Sequence, residues 1–214
     1  MKRLLIIGLV LLICMPTAFA RKKIKKSGEI ENNVYTDSQY DFTLTLLENW
    51  KPELQKPDND VRLILNQQNH EIPPDLMQFP ALAKVPELVI LVGKVPMPPA
   101  AFADSLASDS YKSDVKKELL KDMIALEENV SFQGLKTTAK KLIEIDGREA
   151  VQWEGVANYI KNLGMGETIS RTYAVGMVAV QKNKETIIFM LECERSFFVS
   201  VFGEVLTMSQ SLKW

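Results

Sequence analysis

The run Leu88-Val89-Ile90-Leu91-Val92 has no polar side. Side chains of a strand alternate between its two faces, so five consecutive large apolar residues demand apolar cover on both. Glu87 to Val95 therefore reads as a strand buried on both faces, and the chain around it must form a sheet with other elements layered against it. Apolar residues make up 46% of the chain, enough for a real core.

The rest of the chain follows two periods. Phe42, Leu44 and Leu46 alternate with Thr43 and Thr45 as a half-buried strand that Asn49-Trp50-Lys51-Pro52 closes, and Val61, Leu63 and Leu65 mark another. Ala139 to Ile145 and Arg148 to Val156 form a hairpin about Asp146-Gly147, a pair suited to a tight primed turn. Residues 158–168, with Gly164 and Gly166, read as a loop. This Gly-x-Gly lacks the strand-to-helix switch and the third glycine of a nucleotide fingerprint. Thr168 to Gln181 and Thr186 to Cys193 form a second hairpin. Tyr111, Val115, Leu119, Met123 and Leu126 recur at helical spacing, after a further helical stretch over 100–108. The pairs at 197/198, 201/202 and 205/206 give a closing amphipathic helix. Strands, helix, strands and helix in that order specify an α+β fold, an antiparallel β-sheet flanked by helices as an α/β/α sandwich, in one domain over residues 34–214.

The first twenty residues hold Lys2 and Arg3 and no acid, then an apolar run from Leu4 to Met15, then Pro16 and Ala18-Phe19-Ala20. A charged start, a short apolar stretch and small residues at −3 and −1 form the pattern of a secretory signal peptide, and the run is short for a membrane span. Two alternatives stand beside cleavage at Ala20: lipidation at Cys14, where Ile13 departs from the usual small residue, and retention as an anchor. The cations Arg21, Lys22, Lys23, Lys25 and Lys26 follow directly, and positive charge so placed resists translocation. Residues 21–33 read as a basic flexible arm whose cations suit an anionic membrane surface. Residues 27–214 keep 19 basic against 27 acidic residues, a net charge of −8. An acidic body argues against nucleic acid, whose phosphates need Lys and Arg.

Candidate chemistry is sparse. His70 is the sole histidine, so a Ser-His-Asp or Cys-His arrangement would have to use it. With Glu71 and Asp75 nearby it reads as an exposed loop histidine rather than a catalytic base. One histidine and few cysteines supply no zinc set, and Asp104, Asp109 and Asp114, five apart, miss the alternation of a calcium loop. Catalytic, metal and cofactor residues are therefore expected to be none. Cys193, between Glu192 and Glu194, reads as a buried and unreactive thiol. Residues 66–86 hold Pro73, Pro74, Pro80 and Pro86 and form a long loop. Its apolar Leu76, Met77, Phe79 and Leu82 need cover from the domain's own core or from a partner. They are the candidate partner-binding residues.

Four stretches resemble the PsbP/Mog-like superfamily of α/β/α sandwiches: Tyr40-Asp41-Phe42-Thr43-Leu44-Thr45 through Asn49-Trp50; Ile145-Asp146-Gly147-Arg148-Glu149-Ala150; the strand Thr186 to Leu191; and the closing helix into Ser211-Leu212. Leu47-Glu48 stands where the family has a Pro before Asn-Trp, and the Pro-rich 66–86 segment is long for it. Members of that family are mostly non-enzymatic, among them a Ran-binding nuclear protein, an extrinsic photosystem II subunit and bacterial exported or lipid-anchored proteins. The family shares a scaffold rather than a site, so no functional residue carries over. The signal pattern, the sparse site chemistry and what the resemblance implies together lead to the expectation of a non-enzymatic exported protein of the cell envelope, periplasmic or extracellular, acting as a protein-binding accessory module or chaperone for another envelope protein. A secreted hydrolase with a carboxylate/His70 site and a peripheral membrane-surface protein held by the basic arm are the alternatives. N-terminal sequencing of the protein from its native envelope should read Arg21 first. A chain starting at Met1, or a diacylglyceryl group on Cys14, excludes cleavage at Ala20.

Overall fold

The computed structural model describes residues 26–70, 84–108, 114–124 and 130–214. Among the described residues, ten strands come in chain order: β1 (Gly28–Glu31), β2 (Val34–Asp37), β3 (Thr43–Thr45), β4 (Trp50–Leu54), β5 (Val61–Gln67), β6 (Glu87–Lys94), β7 (Val130–Ile145), β8 (Arg148–Gly164), β9 (Glu167–Lys182) and β10 (Glu185–Cys193). Helices α1 (Pro99–Leu106) and α2 (Asp114–Ile124) lie between β6 and β7, and α3 (Phe198–Gln210) follows β10. Seven strands form one antiparallel sheet in the order β4-β5-β6-β10-β9-β8-β7, and β1-β2-β3 form a smaller one.

The central strands bury both faces, as their composition demands. Leu88, Ile90 and Val92 of β6 face one core with Ile187, Phe189 and Leu191 of β10. That core is closed by Val201, Phe202, Val205 and Met208 of α3 and by Tyr35, Phe42 and Leu44 of the small sheet. Leu91, Ile188 and Met190 face the other core, under Phe102, Ala103 and Leu106 of α1 and Val115 and Leu119 of α2. Helices thus cover the large sheet on both sides, and the α+β sandwich is confirmed. At Gly176 of β9 a Cβ would stand 2.5 Å from the Phe202 ring, so the missing side chain lets α3 seat on the sheet. Asp146 and Gly147 both have positive φ, 51° and 71°, the geometry of the tight turn expected there.

Three sequence expectations need correction. Gly28–Glu31, placed in the flexible arm 21–33, pairs with β2 as a hairpin about Asn32 and Asn33; order begins before Val34 because Ser27 is itself buried. Asn49-Trp50-Lys51-Pro52, read as closing the preceding strand, instead runs into strand β4, Trp50–Leu54. Pro52 is tolerated in it because β4 lies at the edge of the sheet. Residues 158–168, read as a loop, are mostly strand: β8 and β9 pair out to Gly164↔Glu167, and only the tip turns. Residues 162–168 are exposed because the strands run past the core there, while Tyr159 is still buried in it.

The small sheet is joined to the large one by a buried ion pair. The side chains of Arg62 and Asp37 are both 0% exposed, with Nε to Oδ2 at 2.8 Å. Arg62 Nη2 also donates to Asp37 Oδ1 at 3.3 Å and to the Ser27 carbonyl at 3.1 Å; Nη1 donates to the carbonyls of Pro57 at 2.7 Å and Asn59 at 2.8 Å. A guanidinium has five N–H donors, and these bonds occupy all five. Asp37 in turn accepts from the Tyr35 hydroxyl at 2.7 Å and from the amides of Gln39 and Tyr40. Asp37→Ala should therefore cost about 3–5 kcal/mol, because it strands a buried cation. The double variant Asp37→Ala, Arg62→Met should lose less than the two single variants combined. Urea unfolding at constant m-value measures both.

Candidate functional site

Helix α3 leaves β10 through a tight turn in which the Phe197 amide donates to the Glu194 carbonyl at 3.1 Å. The apolar pairs expected from the sequence set its face: Val201, Phe202, Val205 and Met208 are buried. Between them stands Glu204, whose carboxylate collects three donors from the ends of two strands. Trp50 Nε1 donates to Oε2 at 2.7 Å, Asn49 Nδ2 to the same oxygen at 3.1 Å and Gln67 Nε2 at 3.0 Å. The Asn49-Trp50 pair that carries the family resemblance is thus the clamp that ties α3 to the ends of β4 and β5. Sequence reasoning missed Glu204, because a lone acid on an amphipathic helix looks like its solvated face. The signal that could have found it is position: Glu204 falls between two buried pairs.

The two ends of the proline-rich loop reach this same region. His70 Nδ1 lies 3.0 Å from the Gln67 carbonyl oxygen, and its ring meets Phe197 edge-on with centroids 6.2 Å apart. The Lys84 amide donates to Glu194 Oε1 at 3.0 Å, and the Glu194 amide donates back to the Lys84 carbonyl at 3.1 Å. Lys84 Nζ is 2.9 Å from Glu192, which also accepts from the Tyr159 hydroxyl at 2.6 Å. Burial, and then the Glu192 charge, push the Tyr159 phenol above its ordinary value. Leu76, Met77, Phe79 and Leu82 lie outside the described residues, as do Glu71, Asp75, Arg21, Lys22, Lys23 and Lys25. Lys26 is described and exposed.

Exposed apolar side chains are unevenly placed. The large ones among the described residues are Val85, Leu142, Leu163, Met165 and Val199. Val85 follows the loop's return, Val199 stands in the first turn of α3, and Leu163 and Met165 sit at the β8–β9 tip. Val85 and Val199 lie at the end of the sheet where β10 stops at Cys193 opposite Ala174, and Leu163 and Met165 lie beyond it, where β8 and β9 continue with β7 beside β8 as far as Val130↔Lys161. At about 3.3 Å per residue the tip stands about 25 Å beyond that point. Leu142 lies on the edge strand β7, away from this end. Asp104 and Asp114, considered for calcium, are exposed, and Asp104 pairs with Lys140 at 2.6 Å. Among the described residues no group of three or more His, Cys, Asp or Glu is placed to hold a metal.

Comparison with known proteins gives similarities of fold. The chain is similar to cyanobacterial PsbP (CyanoP) from Synechocystis sp. PCC 6803, with 10% identity, a TM-score of 0.48, and 84% of this chain and 90% of that one covered. It is similar to LpqN of Mycobacterium tuberculosis, a protein involved in cell envelope biogenesis, with 14% identity, a TM-score of 0.44, and coverage of 81% and 82%. It is also similar to the Ran-binding protein Mog1p of Saccharomyces cerevisiae, with 7% identity, a TM-score of 0.43, and coverage of 86% and 96%. The PsbP/Mog-like resemblance read from the sequence recurs here. No family model and no curated protein matches the sequence.

Cys193 sits beneath this region, fully buried at the end of β10. Burial, with Glu192 and Glu194 adding to it, pushes its thiol from 9.0 up to about 12. The thiolate fraction at pH 8 then falls roughly a thousandfold. A thiol reagent should label the native chain at least that much more slowly than the chain in denaturant. Rapid native labelling at pH 8 contradicts the burial.

Proposed function

We propose that the chain is a non-enzymatic, exported protein of the cell envelope whose domain serves as a binding module, an accessory subunit or chaperone, for another envelope protein. The observation that carries this reading is that Val85 and Val199 are exposed at the end of the sheet from which the 66–86 loop departs and to which it returns, and that Leu163 and Met165 are exposed on the tip that extends beyond that same end. Exposed large apolar side chains cost solvation free energy, and a set of them at one end marks an interaction surface. Polar groups support the same reading from the other side. Asp37, Arg62 and Glu204, the strongest polar convergences described, are engaged by the protein's own donors and acceptors. They build the scaffold rather than stand ready for a reaction. His70, on which a hydrolase would have to depend, faces a carbonyl oxygen and a phenyl ring.

Leu76, Met77, Phe79 and Leu82 extend the proposed surface, and Arg21 to Lys26, which lead into Ser27 at the other end of the sheet, are the proposed contact of the protein with an anionic membrane. The test is crosslinking in the native envelope followed by purification. A Leu163→Ser, Met165→Ser, Val199→Ser variant should keep its melting temperature and lose the partner seen with the parent chain. Leu76→Ser, Phe79→Ser should do the same, and Leu142→Ser should retain the partner. If all three variants retain it, the docking reading is wrong. If the loop variant instead melts far lower, its side chains belong to the core.

A further inference from the structure

Strand β7 closes one side of the large sheet, and among the described residues nothing pairs with its outer edge. Two bulges break its register, between Phe132 and Gly134 and between Thr137 and Ala139. Bulges are a usual protection of an open edge. Past them, residues 139–145 pair regularly with β8 as far as the Asp146-Gly147 turn. That turn has two residues, so Ile145 and Arg148 form its closing hydrogen-bonded pair, and the main chain of Ile143 and Lys141 faces β8 in the same sense. The amides and carbonyls of Lys140, Leu142 and Glu144 therefore point out from the sheet edge. Leu142, at the middle of this run, is 56% exposed. It lies on the α1 side of the sheet together with Lys140 and Glu144, because the ladder partners of Leu142 and Lys140 are Val151 and Trp153 of the core beneath α1. Lys140 Nζ stands 2.6 Å from Asp104 of α1. Glu144 faces Glu149 directly across the ladder, and like charges so placed are destabilising. Among the described residues no cation is paired with either carboxylate.

We propose that this edge pairs with the same edge of a second copy of the chain, antiparallel about a two-fold axis through Leu142. In that register Leu142 meets its own counterpart, and Lys140 of each copy stands opposite Glu144 of the other. One row on the α1 side then carries Lys140 of the second copy, Glu144 and Glu149, which brings a cation beside the two facing carboxylates. An ammonium has three N–H donors, so Lys140 can serve Glu144 of the second copy without leaving Asp104. The regular run is used in full: Ala139 stands opposite Ile145, and the second bulge of one copy falls past the turn of the other. Neighbouring registers are worse. Centring on Lys141 sets two lysines against each other, and centring on Ile143 sets Leu142 against Glu144. An isologous contact of this kind closes at two copies. The pairing leaves the apolar end of each sheet free, so it is independent of partner docking.

Sedimentation velocity on the chain purified from its native envelope, from about 1 to about 500 μM, tests the proposal. The parent should pass from one copy to two across this range. Glu144→Lys should weaken the association about tenfold or more, since it places lysines opposite each other in two symmetric rows, and Lys140→Glu should do the same with carboxylates. The double variant Lys140→Glu, Glu144→Lys should associate more tightly than either single variant. Facing Cα atoms in such a pair lie about 5.5 Å apart, within disulfide reach. Diamide should therefore link Leu142→Cys into a dimer, whereas Lys136→Cys, six residues from the axis, should stay unlinked. Cys193 is buried and takes no part. All four substituted positions are exposed, so these variants keep the fold, and melting curves check this. Leu142→Ser should remain single and still retain the envelope partner, so this proposal and the docking reading fail separately. A parent that stays single throughout overturns the proposal, and so does a Leu142→Cys chain that links only to a different envelope protein. Association that Glu144→Lys leaves unchanged, or a Lys136→Cys link as fast as that of Leu142→Cys, overturns it as well.

Discussion

A guanidinium taken wholly out of water is stable only if every N–H finds an acceptor, and this requirement at Arg62 organises the N-terminal third of the chain. Its acceptors come from Asp37 on β2, from Ser27 just before β1, and from Pro57 and Asn59 in the β4–β5 connection. None of these segments can shift without exposing or orphaning a charge. The pair confers specificity as much as stability, since the desolvation of both ions consumes most of their attraction. It fixes where the small sheet sits, and the small sheet with α3 covers one face of the large one. The Tyr40 ring lies 5.1 Å from the guanidinium carbon and closes the site from outside.

Glu204 plays the corresponding part for the closing helix. Its partners Asn49, Trp50 and Gln67 stand more than a hundred residues earlier in the chain. The C-terminal residues are held in a similar way: the Trp214 amide donates to Asp146 at 3.1 Å, and its indole donates to the Tyr40 carbonyl at 3.0 Å. That amide and then the Arg148 guanidinium hold the Asp146 carboxyl below its ordinary range. The tight turn and the end of the chain therefore support one another.

These long-range ties explain what the amino-acid order did and did not disclose. Leu88 to Val92, the Asp146-Gly147 turn and the apolar pairs of α3 act through local periodicity, and each element formed where its period placed it. Short β1 and Pro-containing β4 have no period of their own. They are strands only because Ser27, Asp37 and Gln67 fasten them to distant neighbours. The β8–β9 ribbon failed for a different reason: beyond the core its residues are chosen for solvent, so they read as loop although the ladder continues. The role of Glu204 was invisible because its partners Asn49, Trp50 and Gln67 come from segments far away in sequence. Cys193 was legible because its reading rested on near neighbours; His70, read as exposed, is half-buried against Phe197, a contact across more than a hundred residues.

The ribbon and the Ser27 anchor leave the large sheet in opposite directions. Ser27 bonds to Gln55 and Arg62 near the start of β5, at the end of the sheet away from Val199. Strand β8 alone spans about 55 Å at about 3.3 Å per residue. Whatever holds the N-terminal side of this chain in place, the Leu163–Met165 tip is displaced from it by a stiff, hydrogen-bonded distance rather than by a slack linker. The molecule has the mechanics of a mast: stepped at its foot by the buried arginine, it carries its apolar tip at a set height and sweeps only the volume its anchorage allows.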